Sequence, residues 1–269
     1  MPFVLLILLV GLGYFAARRW AHWQTRRRLI VSALSEDQRR LARAAVPLLE
    51  KMPRELQPRH EGKMRLFLHQ VTFIGCDGLV VTEKMRLSIA AQACLLIANT
   101  DAWYDTLRTI LIYPGAFKSM RAEQGAFVVT EREQVRLGES WARGPVVLSW
   151  AHSDEGAQNP EDGHNVVIHE FAHQLDTLSG QTDAAPILGR DQSFATWARV
   201  FIAAYDRHVA RVHAGGATVL DAYGATSHVE YFAVAVEVFF ERPRALQREE
   251  PEVYDQLSQL MRLDPAAWG

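Results

Sequence analysis

Residues 165–176 read NVVIHEFAHQLD and place His169-Glu170-Phe171-Ala172-His173, an H-E-x-x-H pattern, inside an apolar run. On an α-helix, positions i and i+4 share a face one turn apart, so His169 and His173 can offer two imidazole nitrogens to one tetrahedral ion such as Zn²⁺. Glu170 lies about 100° round the helix from His169, within reach of a water at such an ion but off the ligand face. Val166, Val167, Phe171, Leu175 and Leu178 bury the rest of the helix, with Ile168 and Ala172 adding to the packing. Asn165 or Asp162 starts it, and Gly180 follows its end. Two histidines four apart also occur by chance. A carboxylate in an otherwise apolar stretch is costly to bury without a purpose, and Glu170 is such a carboxylate.

The chain has 269 residues, 49% hydrophobic and 22% charged, with a formal net charge of −2. Nothing in that balance suggests a nucleic-acid surface or an acidic partner. Cys76 and Cys94 have neither metal-type spacing nor a disulfide framework around them and read as packing thiols, with one disulfide as the alternative.

Residues 2–17 carry no charge and are followed by Arg18, Arg19, Arg26, Arg27 and Arg28, with Trp20 and Trp23 between. A secretory signal has the reverse order, basic before apolar. As a helix the segment rises about 24 Å, short for a bilayer core of about 30 Å unless the tryptophans anchor at the interface and the arginines snorkel. The expectation is a single-pass anchor in a bacterial inner membrane, with the arginines and everything after them cytoplasmic. A monotopic anchor, or an apolar helix docked on the domain, is the alternative. Residues 1–28 thus form an anchor and basic flank, and residues 30–269 one catalytic domain.

Within that domain, Ser35 and Gln38 form a capping box for a helix that Pro47 interrupts and Pro53 ends, and Thr82 caps a buried helix, EKMRLSIAAQACLLIAN. Leu107–Tyr113, Gly125–Glu131, Gln134–Leu137 and Val146–Trp150 read as strands of a small mixed sheet preceding the H-E-x-x-H helix. Residues 151–164 are polar and read as an exposed loop. Phe194–Val212 is a helix whose Trp197, Phe201 and Tyr205 face the core, with His208 and His213 at the surface or between helices. The fold class is α+β, mainly helical.

A catalytic zinc site takes three protein ligands. Glu230 and Glu237 lie seven apart in the apolar run Val229–Phe240, and either could be the third. Ser227 and Glu230 also fit a capping box, Glu237 could instead brace a ligand histidine, and His228 is a weaker candidate near the helix start.

The stretches TEKMRLSIAAQACLLIAN, ILIYPGAF, GHNVVIHEFAHQLD and DAYGATSHVEYFAVAVEVFF resemble the Mlc titration factor A family of zinc-dependent peptidases, over about residues 30–265. That family belongs to the gluzincins and is related to the catalytic domain of anthrax lethal factor. The resemblance implies a gluzincin fold, one Zn²⁺ per chain, and Glu230 as third ligand beside His169 and His173. It implies that Tyr223, seven residues earlier, faces the metal. His228 stands where the enterobacterial members have proline, and those members lack the N-terminal apolar segment.

The implied chemistry is peptide hydrolysis, with Glu170 as general base and Tyr223 as donor to the developing oxyanion. Asp176, one turn past His173, would support the site or end the helix, and Val146–Trp150 would be the sheet edge that aligns an extended peptide. The expected partners are a peptide or protein substrate, the membrane, and a regulatory protein. The alternative function is a zinc-fold protein that sequesters such a partner. A purely structural zinc domain would need a further Cys or His ligand.

Overall fold

The computed structural model describes the backbone of residues 2–125, 128–136, 138–140, 144–180 and 182–268. It describes the side-chain surroundings of residues 11–21, 23–116, 144–180 and 182–268. Helix α1 (Pro2–Ile30) runs through the junction between basic flank and domain, and its last turn packs on the core through Leu29 and Ile30. Arg26 pairs with Asp105 at 3.1 Å and lies over the ring of Trp103. Side chains 2–10, most of the apolar segment 2–17, lie outside the described residues. Among the described residues no helix is long and apolar enough to cross a membrane, and residues 11–30 carry five arginines. The structure therefore lends no support to a transmembrane span.

Helix α2 (Glu36–Ala45) begins at the Ser35–Gln38 capping box, and a 3-10 turn, Pro47–Glu50, follows where proline breaks it. Helix α3 (Gln57–Gln70) then enters strand β1 (Thr72–Gly75), and α4 (Glu83–Leu95) starts at Thr82. Neither α3 nor β1 is legible in sequence, because α3 buries Glu61, His60 and Lys63 on the core side and blurs the apolar stripe.

Strands β2 (Thr109–Tyr113), β3 (Phe117–Gly125), β4 (Val128–Arg136), β5 (Gly138–Ser140) and β6 (Val146–Ser149) follow. The main sheet has the order β1-β2-β6-β5, with β1, β2 and β6 parallel and β5 antiparallel, and β3 pairs with β4 in a separate antiparallel ribbon. β6 is hydrogen-bonded on both sides, so Val146–Trp150 is not the edge that an extended peptide could join. Trp150 instead opens helix α5 (Trp150–Gln158), which takes the first part of the loop expected over 151–164 and leaves residues 159–164 as a loop. Its Ser153, Gly156 and Ala157 recur at helical spacing on the buried side, a stripe of small residues that hydrophobicity alone does not reveal.

Helices α6 (Val166–Asp176), α7 (Phe194–His213), α8 (His228–Glu241), α9 (Pro243–Glu249) and α10 (Pro251–Met261) complete the chain. Phe171 lies about 200° round α6 from His169 and packs edge-on against Phe67 and Tyr104, at 5.7 and 5.1 Å between ring centroids. Burying one such ring stabilises by about 2–3 kcal/mol, and the packing turns the opposite face of α6 toward α8. Trp197 and Phe201 of α7 stack at 4.1 Å and meet Phe232 of α8. Both described cysteines are free thiols, Cys94 in the core and Cys76 half-buried.

Candidate metal centre

Asn165 caps α6, its Oδ1 accepting from the Ile168 amide at 3.0 Å, and this fixes where the helix starts and which way its side chains point. His169 and His173 then face α8. Ser227 caps α8 by accepting from the Glu230 amide at 3.2 Å, which puts Glu230 in the first turn. The reciprocal half of the capping box is not made. The Glu230 carboxylate turns instead to the two imidazoles.

Glu230 Oε2 lies 3.0 Å from His169 Nε2 and 3.3 Å from His173 Nε2, and the two Nε2 atoms are 3.2 Å apart. Tetrahedral ligands held about 2.1 Å from a zinc-sized ion are about 3.4 Å from one another. The three atoms therefore stand close to the separations of one face of a coordination tetrahedron. Among the described residues this is the group of histidine, cysteine and acidic side chains able to hold a metal ion. Sequence spacing left Glu230 and Glu237 open, and the fold separates them. Glu237 reaches the other side of the ring, where His169 Nδ1 donates to its Oε1 at 2.8 Å. A carboxylate only accepts, so Nδ1 carries a proton toward Glu237, and Nε2 is the nitrogen at which a metal would displace a proton.

Three carboxylates of α8 lie along this face, and none of Glu230, Glu237 and Glu241 pairs with a lysine or arginine among the described residues. Burial opposes charge on His169, yet its bonds to Glu230 and Glu237 outweigh burial and hold its pKa well above the ordinary value. Burial likewise works against ionised Glu230, and the bonds from His169 and His173 prevail, keeping it well below the usual carboxylate range. Without a metal, the site is a protonated imidazole among carboxylates. A divalent cation would take the place of that proton and bring positive charge to the same carboxylates, so the donor set fits a metal in both geometry and sign of charge.

Glu170 is buried on the same helix, one residue on from His169. Tyr223 sits on the 3-10 turn Ala222–Ala225, with its ring centroid 6.0 Å from that of His169 and 53% of its surface exposed. Helix α7 holds this turn. Buried His208 bonds through Nε2 to Asp221 O at 3.1 Å, and Tyr205 Oη donates to Ala225 O at 3.2 Å. A Cβ at Gly224 would lie 3.3 Å from His208 Nε2, so the close approach of turn and helix favours glycine there.

The remaining candidates fall outside the centre. His228 is exposed against Tyr205, and His213 is exposed at the end of α7. Asp176 is fully buried but accepts from the Ala184 amide at 2.9 Å, tying down the following loop rather than a histidine, and burial raises its pKa to about 6. Sequence reasoning missed Glu241, whose carboxylate accepts from Asn165 Nδ2 at 2.9 Å and from the Gly163 amide at 3.1 Å. The available signal was its spacing, eleven residues after Glu230 on the same helical stripe.

Two histidines from an H-E-x-x-H helix and a glutamate from a second helix define a metallopeptidase-type centre on a mainly helical domain. The sequence profile of the glucose-regulated metallo-peptidase M90 family matches residues 20–262, and the chain belongs to that family. It is 36% identical over 266 residues to the uncharacterized protein slr2042 of Synechocystis, covering 97% of this chain and 96% of that one. It is 34% identical over 231 residues to Mlc titration factor A of Yersinia pestis, covering 82% and 83%, and to that of Yersinia pseudotuberculosis to the same extent. The Synechocystis match leaves too few residues over for the N-terminal helix to lie outside it.

Proposed function

We propose that the chain is a zinc-dependent peptidase, and the observation that carries this reading is the set of 3.0, 3.2 and 3.3 Å separations among His169 Nε2, His173 Nε2 and Glu230 Oε2. Two imidazoles and one carboxylate suit Zn²⁺, which when bound polarises a carbonyl and makes water acidic enough to attack at neutral pH. Glu170 takes the proton of the attacking water and returns it to the leaving amine. Tyr223 donates from its hydroxyl to the oxygen on which charge develops. Glu237 holds the Nδ1 proton of His169, fixing the tautomer and the ring plane. Glu170→Gln should keep about one zinc per chain and lose several orders of magnitude in peptide hydrolysis. Loss of zinc in this variant would make Glu170 a ligand, and unchanged turnover would remove the mechanism.

A second reading, binding of a regulatory protein, is favoured by the similarity to proteins named Mlc titration factor A. Binding of a protein partner that survives Glu170→Gln undiminished would support it.

For location, exposed Leu12, Tyr14, Phe15, Trp20 and Trp23 alongside five arginines on α1 support attachment to an anionic bilayer, with the domain on the cytoplasmic side of the inner membrane. Co-sedimentation with vesicles containing phosphatidylglycerol but not with phosphatidylcholine alone is expected. Equal recovery in the supernatant with both would reject the attachment.

A further inference from the structure

Glu230, Glu237 and Glu241 stand at positions i, i+7 and i+11 of α8, within about 20° of one line along the helix. Each reaches toward α6 at a different height. Glu230 meets the imidazole Nε2 atoms, Glu237 meets His169 Nδ1 and the Asn165 amide, and Glu241 meets the Asn165 side chain and the Gly163 amide. Asn165 is thereby held through both polar atoms of its side-chain amide. Its Nδ2 donates to Glu241 while its Oδ1 receives the Ile168 amide that starts α6. Helix α5 closes on the same segment from the other side, where a Cβ at Gly156 would lie 2.8 Å from His164 O and 3.1 Å from Asn165 Cα.

We infer that Glu241 is a positioning residue for the metal centre, acting through Asn165 to set the start of α6 and so the place of the His169 ring between Glu230 and Glu237. The inference rests on the reading of His169 as a metal ligand. Helix capping alone does not need Glu241, because serine, aspartate and asparagine cap comparably well. Only asparagine, however, caps with an oxygen while offering an N–H to a carboxylate. Both Glu241 oxygens accept from N–H groups, an arrangement that its ionised form satisfies fully. Burial raises its pKa to about 8, against the pull of the Asn165 and Gly163 donors, so the charged form that accepts from both donors prevails only above that pH.

The test separates capping from positioning with three variants, read by competition of the full chain with a chromophoric chelator for Zn²⁺. Asn165→Ser keeps a cap and removes the link to Glu241, and its zinc dissociation constant should rise about 10-fold or more with helix content unchanged. Asn165→Asp, as good a cap, sets a second carboxylate against Glu241 at pH 9, above the raised Glu241 value, and the rise there should approach 100-fold. Adding Glu241→Gln to Asn165→Asp restores a donor–acceptor pair with the roles exchanged and should bring the constant back to within about threefold of wild type. In metal-free protein the ¹H–¹⁵N correlation of the His169 ring should shift in Asn165→Ser and return toward wild type in the double variant. An unchanged zinc constant and ring spectrum in Asn165→Ser would overturn the inference, as would a double variant no better than Asn165→Asp. Failure of wild type to bind zinc would reject the metal reading instead, and the ring spectrum would then decide the inference by itself.

Discussion

Glu237→Ala distinguishes a residue that holds a ligand from a residue that is one. In the folded chain the Glu237 carboxylate accepts from His169 Nδ1 at 2.8 Å and from the buried Asn165 amide. Alanine leaves both donors without their acceptor. Each unsatisfied buried donor costs about 1–3 kcal/mol, so the metal-free protein should lose roughly 2–6 kcal/mol, less whatever any entering water restores. Zinc binding is affected through a different route. The ring can still present Nε2 but is no longer fixed, and loss of such a support weakens metal affinity by about 10–100-fold, or about 1.4–2.7 kcal/mol. Glu230→Ala removes an atom that stands 3.0 and 3.3 Å from the two Nε2 nitrogens, so zinc should no longer bind tightly. It should cost less fold stability, because Glu230 is the more exposed of the two and its carboxylate meets the two imidazoles rather than a backbone amide among the described residues. Chelator competition and urea unfolding of both variants give the four numbers needed. Full zinc occupancy in Glu230→Ala with loss in Glu237→Ala would refute the assignment of roles.

Tyr223→Phe should keep zinc and fold while lowering turnover by about 10²–10³, the effect of losing one oxyanion donor, and equal turnover in a steady-state peptide assay would remove Tyr223 from the chemistry. His60 is buried, its Nε2 bonded to Ala91 O at 2.8 Å, and burial lowers its pKa to about 4. The unfolded chain therefore binds a proton that the folded chain refuses, and stability falls as pH drops from about 6.5 toward 4, by about 2 kcal/mol on reaching pH 5. His60→Gln keeps a donor for Ala91 and should shrink the difference between urea unfolding at pH 7 and pH 5; an undiminished difference would place the acid sensitivity elsewhere.

The centre was legible where chemistry and helical period coincide. His169, Glu170 and His173 announce themselves because polar residues at i, i+1 and i+4 interrupt an apolar stripe. The choice of Glu230 over Glu237 was not legible from spacing, since residues seven apart share a face and only the height of α8 against α6 separates them. That height is a property of packing, with α6 held by Phe171 against Phe67 and Tyr104 and α8 held separately by Phe232 against Trp197. Helix α5 was missed because Gly156 and Ser153 look like loop residues until the 163–165 segment is placed against them, where smallness is what the contact requires. Strand β1 was missed for a related reason. It sits at the edge of the sheet with only four residues, too few for a period to show.

The same geometry makes the metal-free and metal-bound forms respond to pH with opposite sign. Without metal, burial opposes the charged His169 ring, but Glu230 and Glu237 hold its pKa well above the ordinary value, while His169 and His173 hold Glu230 well below its own. A raised histidine contributes stability that is fully present below its unfolded pKa of about 6.5 and is lost as pH rises through the folded one. A depressed glutamate contributes above its unfolded value of about 4.3 and fails as pH falls through the folded one. The pair therefore supports the metal-free fold best at mildly acidic pH and ceases to do so at alkaline pH. A metal needs Nε2 without its proton, so binding must expel the proton that the carboxylates retain. Apparent zinc affinity should climb with pH by up to about tenfold per unit for each proton released, as long as the pH stays below the raised His169 value. Zinc should thus stabilise least where the metal-free protein is strongest. Calorimetric titration in two buffers of different ionisation enthalpy counts the protons, and unfolding with and without zinc across pH 6–9 follows the two curves. Zinc affinity that is flat over that range, with no proton released, would mean that His169 is already neutral and that the carboxylates around it do not hold the charge deduced from their geometry.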